Sequence, residues 1–515
     1  MHKEITLLLD GDSLDPLNLY QKVRESFHEN KKISIDIPPT SLERVKKARL
    51  FVEDILKSNK AYYGINTGFG ALAETKISAN ELEELQLNLV RSHCCGVGDL
   101  LPLEISFTMM IIRLNCLLQG HSGVRLEVIE QLKFFIEEKI IPLIPRQGSV
   151  GASGDLAPLA HLALTLIGEG EVFFQNKNHP TQNILKQLKR DPLVLKAKEG
   201  LALINGTTAM CALLTNAVGE LTHLQKLMDI TAAFSVEALR GSHSPFDEKI
   251  SLLRKHTEQS KVAFNLRTCL EGSQIRESHK DCKKVQDPYS LRCIPQVHGA
   301  CRQSITHAYT VLKNEINAVT DNPLIFPDTK EIISGGNFHG EILAFISDYL
   351  ALAICEFGSL SERRVDKMMI THFSDLPPFL TKKAGPNSGL MMAHVTHAAL
   401  TSENKSMSFP RSVDSISTSA DKEDHVSMGM NAALRLNVML ENLKNSISIE
   451  ILCAAQAIFL LRPLKTSKKL ELFYSEIRKA APPIEEDRVF SYDIKNIKEN
   501  VVEKSRDFLL REKIV

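Results

Sequence analysis

The segment Gly148-Ser149-Val150-Gly151-Ala152-Ser153-Gly154-Asp155-Leu156-Ala157-Pro158-Leu159-Ala160 packs three glycines into seven residues around one small Ala-Ser step. A backbone bent tightly enough there brings the Gly154 amide nitrogen onto the carbonyl carbon of Ala152. Glycine permits the bend because it has no Cβ, and alanine keeps the attacked carbonyl uncrowded. Dehydration of the resulting ring, with loss of the Ser153 hydroxyl as a second water, would leave an imidazolone carrying an exocyclic methylidene. That group is an electrophile, which no unmodified side chain provides. A following helix N-terminus would place partial positive charge beside it. The plainer reading is a loop entering a helix, with Asp155 as cap, Pro158 in the first turn and Leu156, Leu159 and Leu162 opening the apolar face. It accounts for Asp155 onward and leaves the glycines unexplained.

Other signatures are incomplete. The loop Gly64-Ile65-Asn66-Thr67-Gly68-Phe69-Gly70 lacks GxGxxG spacing, and no glycine run ends in Gly-Lys-Ser/Thr, so no phosphate cradle is read. Gly151-Ala152-Ser153-Gly154 is one residue short of a GxSxG nucleophile elbow. His339-Gly340-Glu341 gives the HxE half of a zinc deaminase without its PCxxC, and HExxH is missing, so no catalytic metal is expected.

The elements that must hold such chemistry are mostly helical. Short β-rich runs, Ile5-Thr6-Leu7-Leu8 and Ile33-Ser34-Ile35, precede a helix over about 41–58 marked by Val45, Ala48, Val52 and Ile55. Leu82, Leu85 and Leu89 mark one stripe, and Ile129, Leu132, Ile136 and Ile140 another. Leu436, Leu440, Leu443 and Ile447 recur along a proline-free segment from about Ala432 to Leu461, too long for a small domain. The 515 residues allow about three domains or one large domain with extensions. With 62 basic and 62 acidic side chains the charge cancels, which argues against a strongly electrostatic nucleic-acid or membrane binder. Ten cysteines without a CxxC pair, and no basic-then-apolar leader after Met1, point to a cytoplasmic chain with reduced thiols. The apolar stretch Leu156 to Ile167, broken by Pro158, is core-sized, and no bilayer span is expected.

At this point the chain resembles the aromatic amino acid ammonia-lyases. The Ala-Ser-Gly segment, continued by His161-Leu162-Ala163-Leu164, looks like the loop from which those enzymes make their methylidene-imidazolone, MIO. Tyr63-Gly64-Ile65-Asn66-Thr67-Gly68-Phe69-Gly70 resembles the family's tyrosine loop, and Leu203-Ile204-Asn205-Gly206-Thr207 its asparagine segment. Gln286-Asp287-Pro288-Tyr289-Ser290-Leu291-Arg292 is similar to its carboxylate-binding stretch. Thr320-Asp321-Asn322-Pro323, Gly335-Gly336-Asn337-Phe338-His339 and Ser361-Glu362-Arg363-Arg364 match in the same order. The resemblance covers essentially the whole chain. It implies a mainly α fold of the fumarase/ammonia-lyase kind, with a small mixed α/β N-terminal part followed by an elongated bundle of long helices. Residues 1–200 would form a globular part carrying the tyrosine and MIO loops, and 201–515 the bundle and C-terminal helices. It also implies a homotetramer with active sites built from three chains, and MIO formed from Ala152, Ser153 and Gly154 with no external cofactor.

Two positions are similar to the family's histidine branch. Arg91-Ser92-His93 carries its Ser-His, where relatives acting on phenylalanine have apolar residues, and Glu423-Asp424-His425-Val426-Ser427 its glutamate segment. An imidazole has two nitrogens that want polar partners, which a histidine and a carboxylate supply. A phenyl ring would leave both buried groups unpaired, at about 1–3 kcal/mol each. The resemblance therefore implies L-histidine as substrate and trans-urocanate plus ammonia as products. Tyr63 would be the leading base for the β-proton, a step typically worth about 10²–10⁴-fold, and Glu423 a second acid/base group and ring ligand. Arg292 would clamp the carboxylate, with Tyr289 and Gln286 ordering it. Asn205 would bind the amine or carboxylate, Phe338 line the pocket and His93 contact the ring.

The chain departs from that branch at Asp421-Lys422, where Asn-Gln is usual, and a lysine turned inward would pair with Glu423; an outward lysine is expected. Cys94-Cys95 replaces smaller residues. The runner-up is a tyrosine or phenylalanine lyase or aminomutase of the same family. A fumarase-type lyase lacks support because its GSSxMPxKxN loop is not found.

Overall fold

The structure, a computed structural model, describes residues 4–57, 62, 64–65, 67, 81–279 and 285–515. The fold is mainly α, as the apolar periodicity predicts. Four of the described helices, Thr208–Ala238, Ile294–Glu315, Glu341–Met369 and Gly429–Leu460, run 31, 22, 29 and 32 residues. The chain divides into two compact units, each gathered from three stretches. The first comprises Met1–Gly219, Ala308–Asp348 and Pro410–Arg435, and the second Glu220–His307, Tyr349–Phe409 and Leu436–Val515.

In the first unit the strands Glu4–Leu8 and Lys32–Asp36 pair in parallel, Ile5 opposite Ile33 and Leu7 opposite Ile35. Strand side chains alternate between faces, so these four apolar residues all go inward. A parallel pair needs a crossover, supplied by the helix Pro16–His28, whose first turn is capped by the Asp15 carboxylate accepting from the Leu17 and Asn18 amides. The next helix, Pro39–Leu56, buries Val45, Ala48, Val52 and Ile55 as its spacing requires. It begins two residues before Ser41 because proline fits a first helical turn, where its missing N–H is not needed. Helix Leu103–Leu117 is buried from Ile105 to its end, Arg113 and Asn115 included. The Ile129 stripe lies on Leu126–Glu137, but Ile140 falls past its end, after Lys139 turns the chain at φ 54°.

The second unit is tied by buried charge. Glu450 on Gly429–Leu460 accepts from Arg364 Nε at 2.5 Å and Nη2 at 3.0 Å, from Ser361 at 2.5 Å and from Ser235 at 2.6 Å. One carboxylate thus joins helices Thr208–Ala238, Glu341–Met369 and Gly429–Leu460. Nearby in sequence, Asp229 accepts from His298 Nδ1 at 2.8 Å and Asn265 at 2.9 Å, and pairs with Arg302 at 3.1 Å. The stripe Leu436, Leu440, Leu443 and Ile447 is buried throughout.

Two helices, Glu341–Met369 and Gly429–Leu460, are long and apolar enough to cross a bilayer, a property the stretch at Leu156 does not announce. In their most apolar windows 67% and 78% of the residues are buried inside the fold, as in core helices of a water-soluble domain. The nine cysteines among the described residues are all unbridged.

Candidate active site

The Ala-Ser-Gly loop stands between the short strand Pro145–Gln147 and the helix Leu156–Leu166. Gly148, Gly151 and Gly154 take φ of 145°, 70° and 73°, the left-handed conformations that glycine adopts without penalty. At Gly154 the requirement is also spatial, since a Cβ there would sit 2.1 Å from the Gly206 carbonyl oxygen. The loop is pinned on several sides. Val150 O accepts from Met428 N at 2.8 Å, and Gly151 O accepts from Ser427 Oγ at 2.9 Å and Gly340 N at 3.1 Å. Ser153 O accepts from Asn205 Nδ2 at 3.0 Å, Gly154 O from Ser149 Oγ at 3.2 Å, and Asp155 N donates to Gly206 O at 2.7 Å. Ala152 is buried against Val150, Val426 and Met428. Among the described residues, neither the Gly154 N–H nor the Ala152 carbonyl takes a hydrogen bond. Those are the two groups that ring closure must join.

Asp155 differs from the expected local cap. It holds the N-cap position of Leu156–Leu166 without a side-chain bond to that helix. Its carboxylate accepts instead from Met210 N at 2.9 Å, in the first turn of Thr208–Ala238, and from Ser149 Oγ at 3.2 Å. Burial pushes its carboxyl up to about 7, while the Met210 and Ser149 hydrogen bonds pull the other way. A residue at one helix start caps another that begins 53 positions later, because Gly206 is bridged in parallel to Gly154 and brings that start alongside the loop.

Glu423 meets the loop directly. Its Oε1 accepts from Ser153 Oγ at 2.6 Å and its Oε2 from Thr418 Oγ1 at 2.7 Å. Lys422 is exposed and its side chain makes no ion pair with Glu423, so the Asp421-Lys422 departure leaves the carboxylate unblunted. His93 ends the helix Leu82–His93 half-buried, with Nδ1 2.8 Å from the Leu89 carbonyl oxygen. A carbonyl oxygen only accepts, so Nδ1 carries the proton and a neutral ring presents Nε2 as an acceptor. Burial lowers the His93 pKa below the ordinary histidine value; the Leu89 bond and the Glu423 charge oppose this.

The structure thus brings Ala152, Ser153, Gly154, Asn205 and Glu423 together through direct hydrogen bonds, while the charge of Glu423 acts on His93. Asn205 is buried, and its Oδ1 has no partner among the described residues, leaving an acceptor for a ligand. Phe338 is half-buried two residues before Gly340, which donates to the loop. Gln286, Tyr289 and Arg292 belong to the second unit. There the Arg292 guanidinium lies over the Tyr289 ring at 4.4 Å, and its Nε is buried without a partner among the described residues. Gln286 is exposed. Tyr63 lies outside the described residues. His339, Glu341 and His425 bring ligand-type atoms within 4.8 Å of one another. The two imidazoles are stacked with planes 2° apart, however, so their in-plane lone pairs run side by side instead of converging.

Sequence reasoning misses Thr418, Ser149 and the direction of Asp155. Ser149 and Ser427 at least lie inside segments that the sequence singles out; Thr418 does not.

The finished geometry has counterparts. A model of the aromatic amino acid lyase family matches residues 20–479. The histidine ammonia-lyase of Myxococcus xanthus (strain DK1622) is 44% identical over 495 residues, covering 96% of this chain and 96% of the relative. That of Koribacter versatilis (strain Ellin345) is 47% identical over 485 residues, 92% and 94% of the two chains. Among solved structures, the histidine ammonia-lyase from Trypanosoma cruzi superposes with a TM-score of 0.90 at 42% identity, covering 99% of this chain and 95% of that one. The tyrosine aminomutase from Streptomyces globisporus superposes with 0.91 at 35% identity over 99% of both. The backbone is shared across these activities, so side chains must separate them.

Proposed function

The chain belongs to the aromatic amino acid lyase family, and from that premise we propose that it is a carbon–nitrogen lyase removing ammonia from L-histidine to give trans-urocanate, in histidine degradation. The observation that carries this reading is the carboxylate of Glu423 hydrogen-bonded to Ser153. It puts an acceptor suited to an imidazole N–H at the step where the electrophile would form. A phenyl or phenol ring does not satisfy both Glu423 and His93.

The family in general depends on MIO, and the residues here fit it. Ala152 and Ser153 lead into a position, Gly154, that has room for glycine alone, and the two reacting peptide groups are unpaired among the described residues. When formed, MIO supplies an electron-accepting methylidene that helps the substrate lose its amine. The chain's own side chains do the rest. His93 and Glu423 hold the imidazole, Asn205 Oδ1 meets the amine or the carboxylate, and Arg292 with Tyr289 and Gln286 holds the carboxylate as a fork matched to its two oxygens. Tyr63 takes the β-proton, with Glu423 as the second acid/base group, and Phe338 excludes water.

Self-association belongs to the same proposal, as a homotetramer with shared sites. Ile342, Phe345, Tyr349 and Leu352 are 46%, 47%, 51% and 48% exposed along one face of Glu341–Met369, a contiguous apolar row that a partner copy would cover. Unbridged cysteines suit a cytoplasmic enzyme.

Intact-mass measurement combined with a urocanate absorbance assay tests the reading. Mature protein is expected to weigh two waters less than its encoded mass and to consume L-histidine faster than tyrosine or phenylalanine. Ser153→Ala should regain at least one water and lose turnover. An encoded-mass protein that yields no urocanate overturns the proposal.

A further inference from the structure

Thr418 and Glu423 close a six-residue turn by exchanging two main-chain hydrogen bonds, Thr418 N to Glu423 O at 3.0 Å and Glu423 N to Thr418 O at 3.3 Å. Between them Ser419, Ala420 and Asp421 take φ of 53°, 51° and 61°, three consecutive left-handed non-glycine residues. Each such residue costs roughly 1–2 kcal/mol, and a turn maintained against that cost is over-determined by its surroundings. The turn sets the Thr418 hydroxyl 2.7 Å from Glu423 Oε2. Ser417 Oγ bonds Asp421 Oδ1 at 2.6 Å and Val426 N bonds Ser415 Oγ at 2.9 Å, fixing the turn at its rim and base.

The two oxygens of Glu423 have different futures. Oε1 accepts from Ser153 Oγ, and that hydroxyl is the atom lost as water when the Ala-Ser-Gly step becomes the family's electrophile. Oε2 accepts from Thr418, which takes no part in that chemistry. Of the two hydroxyls holding the carboxylate before maturation, only one remains after it. A carboxylate bonded through a single oxygen is still restrained from turning about its Cγ–Cδ bond, which favours the direction the freed oxygen already has.

We infer that Thr418 is a positioning residue for the substrate: it anchors Glu423 through Oε2, so that loss of the Ser153 hydroxyl uncovers Oε1, already aimed, as the acceptor for a ring nitrogen of L-histidine. The same dehydration that makes the electrophile thereby opens the ring-binding oxygen. Uncyclised chains are masked at both places. This inference rests on the histidine reading above and assigns its ring selectivity to a threonine that touches neither substrate nor prosthetic group.

Thr418→Val removes the hydroxyl at nearly constant shape, and Thr418→Ser keeps it. Intact mass should show both variants short of two waters, as the wild type is, because the anchor acts after ring closure. For Thr418→Val the KM for L-histidine and the inhibition constant of urocanate should rise together by roughly tenfold, the scale of one hydrogen bond to a charged group, with kcat changed far less. Thr418→Ser should restore both constants. Wild-type constants in Thr418→Val, or a Thr418→Ser no better than Thr418→Val, overturn the inference. If Thr418→Val does not fold, a crystal structure of mature wild type with urocanate decides. Thr418 Oγ1 must then remain on one oxygen of Glu423 with the ring on the other, and a ring on the threonine-bound oxygen overturns the inference equally. A wild type inactive on histidine sinks the functional reading itself, which these arms separate from failure of the anchor alone.

Discussion

Replacing Gly154 by alanine should prevent maturation, and the structure gives the scale of the effect. Gly154 and Gly272 have nearly the same φ, 73° and 77°, but opposite surroundings. A Cβ on Gly272 meets nothing within 4 Å, so Gly272→Ala should cost only the left-handed strain, about 1–2 kcal/mol. A Cβ on Gly154 would lie 2.1 Å from Gly206 O, a contact with backbone that must open by most of an ångström. Opening it breaks the 2.7 Å bond from Asp155 N to Gly206 O. A buried donor and a buried acceptor then lose their partners, at about 1–3 kcal/mol each. Gly154→Ala is therefore expected to lose about 3–8 kcal/mol, at least twice the loss in Gly272→Ala, and to keep its full encoded mass. Urea unfolding of both variants with intact-mass analysis reads both outcomes. A Gly154→Ala protein that is as stable as Gly272→Ala and still sheds two waters would refute the claim that the space beside Gly206 O admits only glycine.

Further outcomes follow from buried charge. Asp155 in the fold stays protonated to about pH 7, against 3.8 for the exposed group; its folded pKa is raised, so its stabilising share is complete below about pH 4 and is lost as the pH climbs through 7. Asp155→Asn should flatten melting temperature against pH over that window, and an unchanged slope would exclude Asp155 as its source. Arg364→Met and Glu450→Leu each leave one member of a fully buried ion pair alone, at about 3–5 kcal/mol. The double variant should cost clearly less than their sum, since contacting sites do not add. Strict additivity in urea unfolding would show that the two charges are not coupled.

What could be read directly from the chain is what depends on neighbours in sequence. Three glycines around Ala152-Ser153 permit a tight bend, and Gly148, Gly151 and Gly154 take positive φ there. The Leu436 to Ile447 stripe implies one helical face, and that face is buried. The mainly α class, and the family with its chemistry, follow from many such local matches in order. Boundaries slipped where a local rule met a local competitor, as at Pro39 and Lys139.

What only the tertiary structure decided is where polar atoms point across long sequence separations. Ser153 and Glu423 are 270 residues apart and Asn205 is 52 from Ser153, yet each pair is hydrogen-bonded. Asp155 looked like the cap of its own helix and serves the start of another, because a buried carboxylate goes to whichever amides packing leaves unpaired. Lys422 could have faced Glu423 or water, and the Thr418 turn sends it outward. Periodicity fixes which face of an element is buried; it carries no information about which distant donor will meet a given acceptor. That is settled only when the loops around Ser153, Asn205 and Glu423 pack together, and selectivity for one ring over another resides in that meeting.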